Sequence, residues 1–353
     1  MNRYHQDNGI GLFSAEDRLS KLTALGDPLV ALSRHIDFEF FRSLLEEAVR
    51  PARDRRRGGR PPFDPVFVFK VLVLQRLYNL SDEMAEFQMN DRVSFMRFLG
   101  LDFAGKVPDA KTIWLFRDQL REKGLVEKLF EALNEELERR NIIVNEGQIV
   151  DASFVEAPRQ RNNREENAAI KEGVIPEKFQ ENPHRLCQKD TDARWAKKNE
   201  ETHYGYKTHV MCDRKSKLVK KFQVTHAAVH DSMALDGLLD GGAAEGQTLY
   251  ADSAYRSAET EASLAGRNIK SRIHYKAARN RPLTAQQKDS NKSRSSKRAR
   301  VEHVFGFMEN AMGGMLVRAK SQTRNKAVIG LMTLTYNLCR MVQLRRQLTP
   351  STA

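Results

Sequence analysis

Cysteine is scarce in this chain, and its three copies, Cys187, Cys212 and Cys339, lie far apart in 353 residues. An odd number with no close pair argues against a disulfide framework and against a thiolate zinc site, and fits a reducing compartment. A charge-free apolar run of membrane-spanning length is also missing. The opening stretch MNRYHQDNGIGLFSAEDR lacks the greasy core of a secretory signal, and the longest apolar segment, VFVFKVLVLQRL at 66–77, carries Lys70 and Arg76 and is too short to span a bilayer. A cytoplasmic protein with no membrane partner is the expectation. Internal repeats and a zipper pattern are absent as well.

What the chain has in excess is positive charge. Lys and Arg total 59 against 46 Asp and Glu, a formal net charge of +13. That balance favours a polyanionic partner, although charge alone also describes many basic proteins that never meet nucleic acid, so clustering has to decide. Two clusters stand out. RPARDRRRGGRPP at 50–62 holds six arginines with two glycines and three prolines, a composition suited to an extended arm that is solvated or bound to phosphates; Arg55, Arg56 and Arg57 are its densest run. From Lys276 to Arg300 nine Lys or Arg face one acid, Asp289.

The first 140 residues read as helical. Ser14 is a candidate cap, and DFEFFRSLLEEAVR at 37–50 has helical apolar spacing. Past the arm, Asp64 as cap and Pro65 at the first helical position open an almost wholly apolar helix to about Asn79, which must be buried. Ser81 can cap a second helix, Asp91 a short third closing on Gly100, and PDAKTIWLFRDQLREKG at 108–124 a fourth closing on Gly124, with LVEKLFEALNEELERRN extending the region. Such a bundle can bind DNA through a helix-turn-helix, but most bundles do not.

The periodicity changes at Gly147. GQIVDASFVEA at 147–157 alternates as a strand, a polar stretch from Pro158 to about Glu201 reads as an insertion or mobile loop, and HYGYKTHVMCD with KLVKKFQVTHA reads as a hairpin. A helix at 230–242, a buried strand at 247–255, a helix at 256–266 and a strand at 268–273 come next, and a core-facing helix is expected at 325–344. The resulting order, β-β-β-α-β-α-β, is compatible with a mixed sheet flanked by helices, as in the ribonuclease-H fold.

Two acids occupy positions where chemistry is economical to place. Asp151 sits mid-strand between apolar residues, and Asp252 ends the run LYAD just before a helix, at the strand terminus where α/β proteins carry functional groups. Each has a bland reading: Asp151 as a solvent-facing edge residue, Asp252 as a helix cap. Glu302, opening a helix after the basic tract, can equally be a surface ion-pair partner of Arg298 or Arg300. Carboxylates converging from separate elements are what two-metal phosphoryl transfer needs, because two divalent cations roughly 3.5–4 Å apart must be neutralised and held, and oxygen donors suit Mg²⁺ or Mn²⁺. His226, His230 and Asp231 in THAAVHDS read as structural, with Asp231 placed to cap a helix; Tyr255 reads as packing, and Lys207 as either a backbone contact to DNA or a solvated strand lysine. Trp114 and Trp195 read as packing rather than base stacking.

GRPPFDPVFVFKVLVLQRLYNLSDEMAEFQMNDRVSFMRFLG with PDAKTIWLFRDQL resembles the N-terminal domain of bacterial insertion-sequence transposases of the insertion-sequence-five family, related to the insertion-sequence-four group. IVDASFV, GYKTHV, THAAVHDS, YADSAYRS and RARVEHVFGFM resemble its catalytic core, in that order. Each motif is short; their ordered recurrence over roughly residues 58–345 is specific. The resemblance implies a mixed α/β, ribonuclease-H-like core with a helical N-terminal DNA-binding domain. It divides the chain into a helical segment and basic arm at 1–62, a helical DNA-binding domain at 63–141, and a catalytic domain at 147–345 with insertions at about 158–201 and 274–296. It places the catalytic, metal-holding triad of a DDE transposase on Asp151, Asp252 and Glu302. In the related signature Tyr-x-x-Arg-x-x-x-Glu with a later Lys, Arg298 and Glu302 match, while Ser295 and Glu309 stand where Tyr and Lys would be.

The resemblance also implies Mg²⁺-dependent cleavage, with Mn²⁺ as substitute, at the terminal inverted repeats of an element. Strand transfer would then join the exposed 3′-hydroxyl to target DNA, in a homodimer or larger synaptic complex. Lys297, Arg298 and Arg300, with Arg256 and the arm arginines, would contact the double-stranded DNA. Two rivals remain open: a DNA-binding repressor or domesticated remnant without catalysis, and a simple metal-dependent nuclease.

Overall fold

Asp64 accepts hydrogen bonds from the backbone N–H groups of Val66 and Phe67, and Pro65 follows it, so the apolar run starts as a helix where its first donors are satisfied. The same device opens the neighbouring helices: Asp27 before Pro28, Ser81 accepting from Met84, and Asp109 accepting from Thr112. Gly100 and Gly124 take left-handed conformations at the helix ends. These signals produce, in the computed structural model, α1 (Ser14–Ala24), α2 (Pro28–His35), α3 (Arg42–Val49), α4 (Pro65–Leu77), α5 (Asp82–Asp91), α6 (Val93–Leu99), α7 (Ala110–Glu122) and α8 (Leu125–Arg139). The structure describes residues 14–49, 61–240 and 244–348. Asp91 is not a cap: it ends α5, and α6 begins after Arg92 with no side-chain cap.

The remainder is a six-stranded mixed sheet with its helices. β1 (Gln148–Glu156) is followed by the short helices α9 (Arg164–Lys171), α10 (Glu177–Gln180) and α11 (Pro183–Leu186). Then come β2 (Arg194–Lys198), β3 (Glu201–Asp213), β4 (Val219–His226), α12 (Leu235–Leu239), β5 (Thr248–Ala251), α13 (Ala258–Gly266) and β6 (Lys270–Ile273). α14 (Ala285–Arg298), α15 (Glu302–Asn310) and α16 (Gln322–Leu348) complete the chain. β3 runs antiparallel to β1, β2 and β4, whereas β5 and β6 lie parallel to β1 beyond its other edge.

Gly205, in the GYKTH run, is the residue that lets β1 and β3 close up. Its φ is +142°, and a Cβ there would stand 2.5 Å from the Val155 carbonyl oxygen, so only glycine fits.

One face of the sheet packs on α8 and α16 in a core that continues through the N-terminal helices; the other packs on α12 and α13 in a separate cluster around Val150, Met211 and Leu264. A buried amide ties the first layer together. Asn337 of α16 accepts from the Val219 N–H at 2.9 Å and donates to the Val219 carbonyl at 2.8 Å and to Asn134 of α8 at 3.1 Å. α16 is long and apolar enough to cross a membrane by composition, but 89% of its most apolar window is buried within the protein, as a central core helix requires.

The strand read at 247–255 ends at Ala251 and is followed by a 3-10 turn, and the helix read at 230–242 is a 3-10 turn followed by the short α12. Two further segments differ from their sequence reading. The polar stretch 158–201 holds α9, α10, α11 and the edge strand β2, anchored where buried Asp190 accepts the Tyr206 hydroxyl at 2.8 Å and where Phe179 is buried beneath the cations of Arg185 and Lys189. The basic tract contains α14, opened by a capping box between Thr284 and Gln287. Its lack of an apolar stripe hides it from periodicity; what docks it is polar. Asn291 exchanges two hydrogen bonds with the Tyr275 backbone, at 2.8 and 3.0 Å, and the Arg294 guanidinium donates to the Ile273 carbonyl.

Candidate active site

Ile149 lies opposite Tyr250 in the parallel β1/β5 pair, so counting two residues on along each strand puts Asp151 and Asp252 on one face of the sheet. Asp151 is in the middle of β1, and its Oδ1 accepts from the Ala152 N–H at 2.9 Å. Its Oδ2 accepts from Arg298 Nη1 at 2.5 Å, an ion pair with both side chains largely buried. Asp252 stands one residue past β5. Its Oδ1 accepts from the Ala254 N–H at 3.1 Å and the Ser253 hydroxyl at 3.0 Å, so it does cap a short turn, as the bland reading has it, while its second oxygen stays free of partners among the described residues.

The two carboxyls are pushed apart in acidity. Burial raises the Asp151 pKa, and the Asp252 charge adds to the rise, against the opposing pull of Arg298 and the Ala152 N–H. Burial also works upward on Asp252, but the Ala254 N–H, the Ser253 hydroxyl, Arg298 and His274 together outweigh it and hold that carboxyl below its ordinary value. Each aspartate thus feels the same guanidinium, and Asp151 feels the other aspartate. Two carboxylates that share a single guanidinium are hard oxygen donors that fit a divalent cation such as Mg²⁺ or Mn²⁺, for which Asp151 and Asp252 are the residues in place.

Glu302 does not join them here. It is exposed at the first position of α15, makes no ion pair among the described residues, and no group of three or more His, Cys, Asp or Glu side chains among those residues is gathered to hold a metal. Arg298, four residues earlier, instead reaches the acid pair, and it pairs with Asp151 rather than with Glu302. Glu309, the second glutamate on α15, accepts from the Met315 N–H at 3.0 Å and so fastens the turn that follows the helix. Ser295, where the related signature has tyrosine, lies 3.4 Å from His274 Nε2.

The basic residues divide. Lys297 lies over the Tyr250 ring at 5.8 Å, and exposed Arg300 donates to the Arg214 carbonyl at 3.0 Å, so both stand on the α14 end that carries Arg298. Arg256 is engaged internally, donating to the Ile273 carbonyl at 2.7 Å and pairing with Glu261 at 3.1 Å, and together with Arg294 it flanks the Tyr275 ring. Arg55, Arg56 and Arg57 lie outside the described residues.

Around the acids the structure adds one group that sequence reasoning passed over, His274, and fixes the surroundings of several that it weighed. Tyr255 is packed as expected, 1% exposed, yet its hydroxyl has no partner among the described residues, and its pKa is driven up by burial and then by Asp151, Asp231 and Asp252. His274, just past β6, has its pKa lowered by burial and by Arg298. Its position at a parallel strand's C-terminal end was the signal available in sequence. Lys207 is neither solvated nor free for DNA: its ammonium donates to Asp231 and to the Val229 carbonyl, both at 2.8 Å. Asp231 therefore does not cap its turn; His230 does, accepting from Ser232. Trp114 and Trp195 are partly exposed at 38% and 43%, each with an arginine beside its ring, Arg324 and Arg159 respectively.

Among solved structures the chain is similar to the piggyBac transposase in a synaptic complex with hairpin DNA, at 12% identity and a TM-score of 0.43, over 91% of this chain and 75% of that one. That likeness is too loose to assign any residue. The family matches are closer to the point. Residues 16–119, which hold α1 to most of α7, match the family described as Transposase domain (DUF772), and residues 144–338, which hold the whole sheet and both aspartates, match the Transposase DDE domain. With more than half of its length covered by that second match, the chain belongs to the DDE transposase family.

Proposed function

We propose that this member of the DDE transposase family binds the terminal inverted repeats of an insertion sequence of the insertion-sequence-five type and carries out metal-dependent cleavage and strand transfer on DNA in the cytoplasm. The observation that carries the reading is the pairing of Asp151 and Asp252 on one sheet face, from two separate strands, with a shared electrostatic environment. The order β4-β3-β1-β5-β6, antiparallel then parallel, supports a ribonuclease-H-like core.

In this reading residues 147–345 are the catalytic unit and 63–141 the end-recognition unit, joined by the common core of α8 and α16. Asp151 and Asp252 would hold Mg²⁺, or Mn²⁺ in its place, with Glu302 brought in as the third carboxylate. Bound metal would lower the pKa of a water, or of the DNA's own 3′-hydroxyl, so that it attacks at neutral pH, and would supply positive charge for the leaving oxygen. The chain's own residues position. β1 and β5 fix the two aspartates, the Ser253 and Ala254 donors orient Asp252, and Lys297, Arg298 and Arg300 present cations for the scissile strand's phosphates. Processing two ends together calls for a homodimer or larger synaptic complex.

The test uses an end-labelled duplex carrying the inverted repeat, with Mn²⁺. Asp151→Asn and Asp252→Asn are expected to lower cleavage by about a thousandfold or more while end binding stays within about twofold. Cleavage that survives both changes would sink the reading.

One observation favours a second reading, a DNA-binding protein without strand transfer: Glu302 stands apart while Arg298 already neutralises Asp151. Intact binding with no cleavage by the wild-type chain in either metal would select it, and cleavage without joining to target would select a nuclease.

A further inference from the structure

A second cation-lined space lies away from the aspartates, between α4, α5, α7 and the start of α16. It is a cleft of about 400 Å³ that shares no lining residue with the acid site. Six cationic side chains line it against three acids, Asp82, Glu83 and Asp118. Arg117 is matched by Asp82 in a two-pronged pair at 2.6 and 2.8 Å, and Asp118 is shared between Arg121 at 2.7 Å and Arg324 at 3.2 Å.

The other three cations have only neutral partners. Arg318 donates to the Asn79 side-chain oxygen at 2.8 Å, Lys320 to the Cys187 carbonyl at 3.1 Å, and Arg76 to the Leu80 carbonyl at 3.2 Å. Arg76 is the most telling. It is 7% exposed, its Nε has no acceptor among the described residues, and a guanidinium brings five N–H donors. Burial, then Arg117 and Arg318, pull its pKa down to about 9 against the opposing charge of Asp82, which still leaves it charged at neutral pH. A buried guanidinium whose acidic neighbour, Asp82, is already engaged by Arg117, and which faces two more cations, is stabilised where an anion completes it.

We infer that this cleft is a phosphate-binding site, in which Arg76 takes the anion from within and Arg318 and Lys320 close over it. The shared chemistry is a phosphate oxyanion, supplied either by a DNA backbone or by free phosphate. Nothing in it depends on the acid pair, and its test needs neither metal nor cleavage, so the two readings fail separately.

Trp114 lines the cleft, with Arg324 5.7 Å from its ring centre, and offers an optical probe in the full-length chain on a Trp195→Phe background. Inorganic phosphate, titrated at constant ionic strength, is expected to change Trp114 emission saturably where chloride does not. The midpoint should rise about tenfold in Arg76→Met and in the double variant Arg318→Gln/Lys320→Gln, whose side chains are exposed and whose folding is not at risk. Superimposable phosphate and chloride titrations, or a double variant with the wild-type midpoint, would overturn the site. Adding duplex DNA separates the sources: competition with phosphate identifies a backbone phosphate as the occupant, and an undisturbed phosphate titration on DNA-bound protein identifies free phosphate.

Discussion

Arg298 Nη1 sits 2.5 Å from Asp151 Oδ2, bridging the end of a helix built from the basic tract to the centre of the sheet, 147 residues away in sequence. Removing it leaves a desolvated carboxylate without its strongest compensating charge. In metal-free protein Arg298→Gln is expected to lose about 2 kcal/mol at pH 7.5. Asp151, already raised in pKa by burial, rises further in the variant, so its folded state binds a proton more readily and the deficit shrinks as pH falls. Urea unfolding with chelator at pH 7.5 and pH 5 reads this; a deficit that is constant or grows in acid would refute the pairing.

Tyr255 carries a hydroxyl that is buried without a partner among the described residues and feels the charges of Asp151, Asp231 and Asp252. Tyr255→Phe keeps the ring and deletes the unsatisfied group, so the protein is expected to gain about 1 kcal/mol in thermal or urea unfolding. A loss instead would show that the hydroxyl has a partner of real strength in solution.

His209 is fully buried, its Nε2 2.8 Å from the Thr225 hydroxyl, with its pKa pulled from 6.5 to about 4 by burial. A histidine with a depressed folded pKa contributes stability that is present above pH 6.5 and lost as pH falls toward 4, here on the order of 3 kcal/mol across that window. His209→Gln should flatten that part of the stability-versus-pH curve, and an unchanged slope would assign the acid sensitivity elsewhere.

Gly205→Ala tests the close approach of β1 and β3. With a left-handed φ and backbone oxygen 2.5 Å from the would-be Cβ, the substitution is expected to destabilise by about 3 kcal/mol or more, seen as a loss of folded protein or a large drop in the urea midpoint. A drop below about 1 kcal/mol would mean the strands part easily.

Local signals carried much of the architecture. Asp64 and Ser81 announced their helices because caps act within three residues, and Gly100 and Gly124 their ends because only a left-handed residue closes them there. Strands β1, β3 and β4 were legible from alternation around Asp151 and in the hairpin read over 203–227. Periodicity was silent about α14 and β2, since a polar helix fastened by Asn291 and Arg294, and an edge strand with exposed faces, present no apolar pattern to read.

The sequence by itself determined that Asp151 would lie within one strand and Asp252 at the end of another, and that a basic segment would come after them, because secondary structure and charge are properties of neighbours along the chain. Tertiary structure alone decided that Arg298 would meet Asp151, that Glu302 would stand aside, that Lys207 would be claimed by Asp231, and that Arg76 would be buried beside a cleft. Those outcomes depend on packing and desolvation between segments a hundred or more residues apart or on different elements, and no local pattern encodes which charge is brought to which.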